Sequence, residues 1–142
     1  VGEGGTILTS PDGTTWTLRS SGTTRWLLAA TWSAHANRYA VVGDAGTILT
    51  SPDGVTWSTR ASGTTQRLNS VAVASKRFTY PEVYLAVGEN GTALVSYDLA
   101  TWLPRPTGDS GWLRGLATTG LDIFIVTGHA GTILTTLLPT GF

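Results

Sequence analysis

The sequence predicts an all-β fold made of β-propeller blades of four antiparallel strands, with about 3.5 blades in the chain. Three observations support this prediction. The motif of residues 1–16 recurs at residues 42–57 and 87–102, and a fourth copy begins at Thr127. The copies are spaced by about 40 to 45 residues, which is the length of one blade. Each copy is rich in β-branched residues and in Gly, Pro and Asp turns, whereas no window has the 3.6-residue period of a helix.

One period divides into four short strands, and the second copy shows them most clearly. Each strand contains mostly β-branched, aromatic or aliphatic residues and is bounded by Gly, Pro, Asn or Asp. The long spacing before the third copy's motif predicts an extra loop at residues 75–81. The predicted strands A to D of the second copy are residues 26–33, 38–43, 46–51 and 55–60.

The repeat organises the whole chain into one β-propeller segment. We expect the first blade to retain strands B, C and D, and the last blade strands A, B and C. A closed propeller needs about 4 to 8 blades, so the chain belongs to a longer polypeptide or assembles with copies of itself. The first alternative is favoured, because an open stack leaves two apolar faces bare. The expected divisions are a partial blade, two whole blades and a second partial blade, at residues 1–20, 21–61, 62–106 and 107–142.

Turn residues follow strand C in each of the first three copies. In the second copy Pro52 fixes φ near −65°, Asp53 can accept hydrogen bonds from backbone N–H groups, and Gly54 permits a positive φ. Asn90 with the Gly that follows it predicts a two-residue hairpin between strands B and C. The residues equivalent to Asp53 and Gly54 in the turns after strand C are Asp12 and Gly13 in the first copy and Asp98 in the third. In the third copy, Leu99 or Ala100 replaces the Gly.

Apolar residues on both faces of each blade predict how the blades are stabilised. The adjacent Ile48 and Leu49 of strand C point to opposite faces, because side chains alternate along a strand. A large ring at the start of strand D is expected to be buried between neighbouring blades. The residues expected to form this structural core are Trp16, Trp57 and Trp102.

At these turns the chain resembles the BNR/Asp-box repeat family, whose signature is Ser-x-Asp-x-Gly-x-Thr-Trp. Ser51, Asp53, Gly54, Thr56 and Trp57 match this signature, with one residue fewer between Asp and Gly. The shorter turn and the Val-Gly-Asp-x-Gly-Thr-Ile-Leu segment before it are similar to the Ycf48-like branch of that family. The resemblance covers nearly the whole chain. It implies a propeller fold and does not specify a function.

Sialidases share this turn, but the resemblance does not extend to their catalytic residues. Those enzymes need an arginine triad, a Tyr nucleophile with a Glu partner and an acidic Asp, and no arginine here lies in their Arg-Ile-Pro motif. Xyloglucanase-type glycosidases need paired carboxylates across a cleft. We therefore predict no catalytic residues, and a fragment of such a glycosidase is retained as an alternative.

The direction of the strands assigns the turns to two edges of each blade. The B–C turns and the D–A linkers lie on one edge, and the A–B and C–D turns lie on the other. The acids and arginines of the first edge form ion pairs worth about 0 to 1 kcal/mol each, or they form a recognition surface with the tryptophans, which are expected near the central channel. The candidate binding residues are Glu3, Asp44, Glu89, His129, Arg25, Arg67, Arg114, Trp26 and Trp112.

Composition excludes several classes of partner and cofactor. The net charge is zero and 13% of the residues are charged, which does not favour nucleic acid as a partner. No apolar run approaches the roughly 20 residues of a membrane span. The chain has no Cys and two His, so no thiolate or zinc site is expected, and no phosphate-binding loop or Gly-x-Ser-x-Gly elbow indicates a cofactor or nucleophile.

The sequence thus predicts a non-catalytic β-propeller module for binding or assembly, with a protein or a glycan as partner and with self-association as a further mode. Its Thr, Ser and Gly content with few charges favours a bacterial surface, secreted or periplasmic protein. The main alternative is a lectin-like propeller in which Trp26 and Trp112 stack on sugar rings and Asp44 or Glu89 accept hydroxyl hydrogen bonds.

Overall fold

The computed structural model describes residues 1–76, 79–119 and 123–137, which form an all-β structure. Within these ranges, thirteen strands form four antiparallel sheets in chain order, and three single-turn 3-10 segments lie at Glu3–Gly5, Asp44–Gly46 and His129–Gly131. The described part of the chain contains no helix that could span a lipid bilayer.

The four sheets contain two, four, four and three strands. Sheet 1 pairs β1 (Ile7–Thr9) with β2 (Thr17–Arg19). The strand order of sheet 2 is β3 (Leu27–Ser33), β4 (Arg38–Gly43), β5 (Ile48–Ser51) and β6 (Ser58–Arg60). The order of sheet 3 is β7 (Leu68–Lys76), β8 (Thr79–Gly88), β9 (Ala93–Ser96) and β10 (Leu103–Pro104). Sheet 4 consists of β11 (Leu113–Thr118), β12 (Ile123–Gly128) and β13 (Ile133–Leu137).

Two details of the predicted strands are wrong. Sheet 1 has two strands rather than three, because Val1 and Gly2 form no ladder with β1. The expected loop at residues 75–81 is instead a longer hairpin, in which β7 and β8 extend until Lys76 lies opposite Thr79. The β-branched and aromatic residues of this insertion favour continued strand pairing over a loop; residues 77–78 lie outside the described residues.

The core lies between successive sheets. Along β5, Ile48 joins the cluster between sheets 2 and 3, which includes Leu94 and Trp102. Its neighbour Leu49 joins the cluster between sheets 1 and 2, which includes Ile7. Both side chains are almost fully buried. The predicted alternation along strand C therefore covers both faces of the sheet.

The outward faces of sheets 1 and 4 remain exposed. On sheet 1, Leu8 and Leu18 are cross-strand partners that project away from sheet 2. On sheet 4, Ile133 is opposite Thr127 and faces away from sheet 3, with 69% of its surface exposed. The positions of Leu8 and Ile133 are buried in the repeats that have a neighbouring sheet on that side, whereas the position of Leu18 stays exposed there, at Thr59 and Leu103.

The three repeated tryptophans differ in burial, so their predicted role as structural core is only partly correct. Trp102 is buried between sheets 2 and 3, with 5% of its surface exposed. Trp57 is half-buried against the small cluster around Ile7, because the two-stranded sheet 1 covers it incompletely. Trp16 is 58% exposed. No described sheet lies on its side, so Trp16 is not a core residue of this structure.

We predict that Trp102→Ala lowers the free energy of unfolding by about 3 to 5 kcal/mol, because it removes a large side chain from a packed interface. Trp16→Ala is the matched control, and its effect is expected within about 0.5 kcal/mol because it is a surface substitution. Urea unfolding of the monomeric chain measures both. If the two variants lost the same free energy of unfolding, the burial of Trp102 and the exposure of Trp16 would be contradicted.

Candidate functional site

One edge of the sheets collects the B–C turns and the D–A linkers, as the strand directions predict. The amide of Gly46, in the B–C turn of sheet 2, donates to the carbonyl of Gln66 in the following linker at 2.8 Å. The amide of Gly91 makes the same bond to Gly111 at 2.7 Å. We name this edge the linker rim. It comprises the turns that begin at Glu3, Asp44, Glu89 and His129 and the linkers 21–26, 62–67 and 107–112.

Close backbone packing between the turns and the linkers fixes their relative positions in the linker rim. A Cβ atom at Gly46 would collide with the carbonyl oxygen of Thr64, and a Cβ at Gly91 would collide with that of Asp109. Gly46 also has a φ of 67°. Both conditions exclude larger residues, so each linker lies directly against the turn of the sheet before it.

Trp26, Arg67 and Trp112 occupy one repeat position, immediately before the first strand of sheets 2, 3 and 4. The carbonyl of Trp26 accepts a hydrogen bond from the amide of Asp44 at 2.9 Å. The carbonyl of Arg67 accepts one from Glu89 at 3.0 Å, and that of Trp112 accepts one from His129 at 2.8 Å. The repeated backbone bond places the side chain before each sheet beside the turn residue of the same sheet.

Arg67 brings together residues from two sheets. Its Nε lies 2.5 Å from Asp44 Oδ1 of sheet 2 and 3.8 Å from Glu89 Oε1 of sheet 3. Asp44 Oδ1 is buried and has no hydrogen-bond partner, so the close contact is charge pairing. The guanidinium carbon of Arg67 also lies 5.9 Å from the ring centre of Trp26, within cation–π range.

A second cation–π pair lies further along the rim. The guanidinium carbon of Arg114 is 5.4 Å from the ring centre of Trp112. Trp26 and Trp112 are 44% and 45% exposed, so each indole combines a covered face with accessible surface. The two pairs differ, because Arg67 contacts the tryptophan that precedes the previous sheet, whereas Arg114, in β11, contacts the tryptophan two residues before it.

The remaining candidate binding residues lie outside the Arg67 cluster. Arg25 is exposed, and its Nη1 donates to the carbonyl of Ala45 at 3.1 Å. Glu3 and His129 are exposed in the turns of sheets 1 and 4, at opposite ends of the rim. Arg67 therefore joins the acids of sheets 2 and 3, while the acid and histidine of the end sheets remain separate from it.

The opposite edge contains the predicted Asp turns. Asp53 Oδ1 accepts hydrogen bonds from the amides of Val55 and Thr56 at 2.8 and 2.7 Å, and Ser51 Oγ accepts one from Gly54 at 2.8 Å. The turn around Asp12 has the same bonds. These contacts and the positive φ of Gly13 and Gly54 are those that the sequence predicts.

The third Asp turn has the same geometry without its glycine. The amides of Ala100 and Thr101 donate to Asp98 Oδ1 at 2.8 and 2.7 Å. Leu99 occupies the glycine position with a φ of 62°, which costs about 1 kcal/mol for a residue with a side chain. The Leu99 side chain is almost fully buried in the cluster that contains Trp102. Burial of a leucine contributes about 1.5 to 3 kcal/mol, which exceeds that cost.

Hydrogen bonds to the carboxylates lower the pKa values of the turn aspartates. The amide of Thr56 contributes most and that of Val55 next, and they lower the pKa of Asp53 to about 2. The pKa of Asp12 is held far below its usual range, by the amide of Thr15 first. The pKa of Asp98 is lowered chiefly by the amide of Thr101. Each bond favours the ionised form, which is the better acceptor.

A buried polar cluster between sheets 2 and 3 was not predicted from the sequence. Glu82 Oε2 accepts hydrogen bonds from Tyr84 Oη at 2.6 Å and from Ser33 Oγ. Burial, followed by the hydrogen bond to Glu82, raises the pKa of Tyr84 well above its usual range. The sequence feature that could have indicated this cluster is Glu82, an acidic residue in a strand that is otherwise mostly apolar. The cluster joins β3 to β8 and lies away from the linker rim.

In the ranges that the structure describes, no three His, Cys, Asp or Glu side chains are grouped so that they could hold a metal ion. The chain matches no protein-family model, and no curated protein matches it either.

The lowered pKa of Asp53 predicts a loss of stability in acid. Its folded pKa lies below the unfolded value of about 4, so its contribution is present above pH 4 and is lost as the pH falls toward 2. Asp53→Asn should flatten this part of the curve of unfolding free energy against pH. NMR titration of the Asp53 carboxyl carbon measures its pKa directly, and a value near 4 would contradict the prediction.

Proposed function

We propose that the four sheets are consecutive blades of a β-propeller of the BNR/Asp-box type, and that the chain is a non-catalytic binding module. Several observations support the propeller. The sheets share one turn geometry, and their first strands approach one another, since Asn69 Nδ2 on β7 donates to the carbonyl of Leu113 on β11 at 2.7 Å. First strands that meet at a common axis are what a propeller requires.

The proposed binding surface is the linker rim. The observation that carries this proposal is the Arg67 cluster, in which one guanidinium contacts Asp44, Glu89 and Trp26. Arg and Trp are the residue types that contribute most to protein interfaces, especially where neighbouring contacts hold them in place. Here the cation–π and ion-pair contacts restrict the side chains before binding, which reduces the entropy lost on association.

A protein partner fits this surface better than a glycan. Sugar rings bind tryptophan by stacking on a flat indole face, and a guanidinium already occupies one face of Trp26 and one face of Trp112. Exposed Arg and Trp edges beside carboxylates can instead receive the mixed polar and apolar groups of a polypeptide. With few charged residues and many Ser, Thr and Gly, we place the module outside the cytoplasm, at a cell surface or in a secreted protein.

The double variant Trp26→Ala/Trp112→Ala tests this function. Peptides selected from a random display library against the native chain serve as the probe, and their binding is measured by calorimetry. We expect the double variant to weaken binding by about 30-fold or more, because truncating an interface hot spot costs at least about 2 kcal/mol. Trp32→Ala is the matched control, since Trp32 is also partly exposed and lies near the opposite edge, against Tyr39.

The proposal is contradicted if Trp32→Ala abolishes peptide binding while Trp26→Ala/Trp112→Ala retains it. A glycan array probed with the same three proteins tests the lectin alternative. Glycan binding that disappears in Trp26→Ala/Trp112→Ala, with no selected peptide affected, would replace the protein partner by a carbohydrate.

A further inference from the structure

The outward faces of sheets 1 and 4 are the two halves of an interface that occurs repeatedly inside the chain. Between sheets 1 and 2, Ile7 of the earlier sheet packs with Leu49 and Trp57 of the later one. Between sheets 2 and 3, Ile48 packs with Leu94 and Trp102. In each case an aliphatic residue at the same repeat position shares a core cluster with a Leu and a Trp that are eight residues apart in the next repeat.

Sheet 4 presents the first half of this interface. Ile133 occupies the repeat position of Ile7 and Ile48, and it is 69% exposed. Ile123 and Ile125 lie on the same face of β12, opposite to the buried Phe124 and Val126, and both are partly exposed. At the interfaces inside the chain, a face with an aliphatic residue at this position packs against a Leu and a Trp of the next sheet.

Sheet 1 presents the second half. Leu8 and Trp16 are also eight residues apart and occupy the positions of Leu49 and Trp57. Both are exposed, and the cross-strand neighbour Leu18 is 68% exposed beside them. An exposed Trp beside an exposed Leu, at positions that a neighbouring sheet covers in the later repeats, is uncommon on a chain that remains single in solution.

We propose that two copies of this chain associate head to tail, with sheet 1 of each copy docked on sheet 4 of the other. Ile133 of one copy then contacts Leu8 and Trp16 of its partner, as Ile48 contacts Leu94 and Trp102 within the chain. In the propeller arrangement proposed above, on which this step rests, two copies place eight sheets in one ring, which lies within the 4 to 8 blades of closed propellers. A net charge of zero means that the copies do not repel each other over long distances.

The two faces differ, so this contact is heterologous, and a ring of two copies satisfies both faces of each copy. A heterologous contact predicts that two differently damaged copies can still associate, which a symmetric contact between identical patches does not predict. A copy damaged only on sheet 1 can still offer its sheet 4 to a copy damaged only on sheet 4. The two damaged chains should therefore associate with each other although neither associates with itself.

Sedimentation equilibrium of the native chain, Trp16→Glu, Ile133→Glu and an equimolar mixture of the two variants tests the proposal. We expect twice the 14.9 kDa chain mass for the native protein. Each variant alone should dissociate at least 100-fold more readily, and the mixture should recover a dimer at concentrations where each variant is monomeric. Val55→Glu, at an exposed residue on the opposite edge, is the control that should remain dimeric.

Circular dichroism melting shows whether the variants fold, and we expect them to fold because both substituted residues are exposed in one copy. A native chain that stays monomeric at millimolar concentration overturns the proposal. So does a dimer of Ile133→Glu alone, which would show that sheet 1 pairs with sheet 1. A series of ever larger species from the native chain would overturn the closed ring.

Discussion

The presence of apolar side chains on both faces of every sheet is the constraint on which the rest of the structure depends. A sheet of three or four short strands cannot cover two apolar faces by itself, so it is stable only between neighbours. The adjacent Ile48 and Leu49 show this directly, because one joins the core with sheet 3 and the other joins the core with sheet 1. Where the described residues provide no neighbouring sheet, as at Trp16 and Ile133, the same residue types are exposed.

Stacking the sheets also builds the linker rim. The chain leaves one sheet and enters the next through a linker that lies against the turn of the earlier sheet, and Gly46 and Gly91 leave room for it. Before sheet 3, this packing brings Arg67 close to the acid of the preceding turn. Arg67 can therefore contact Asp44 of the sheet before it and Glu89 of its own sheet. The candidate site is thus a consequence of how successive sheets are joined.

The local parts of this structure could be predicted from the sequence, because their chemistry is contained in a few adjacent residues. The Asp53 turn, its hydrogen bonds and the strands around it are of this kind. The exposure of Trp16 could not be predicted, since it depends on whether another sheet covers that face. The Arg67 contacts and the bond between Ser33 and Glu82 join different sheets, so they depend on the relative placement of sheets that no local pattern specifies. Arg25, Arg67 and Arg114 looked alike in the sequence, yet they occupy three different positions relative to the strand that follows or contains them.

Native-state hydrogen exchange tests the dependence on neighbouring sheets most directly, at a concentration where the chain is monomeric. The amides of β4, β5, β8 and β9 lie in strands paired on both sides, in sheets that have a neighbour on each face. They should exchange only by global unfolding, whereas those of β1 and β2 should exchange orders of magnitude faster through local opening. Equal protection of β1, β2 and β5 would contradict the account, because it would mean that sheet 1 is stable without a neighbour on its outer face.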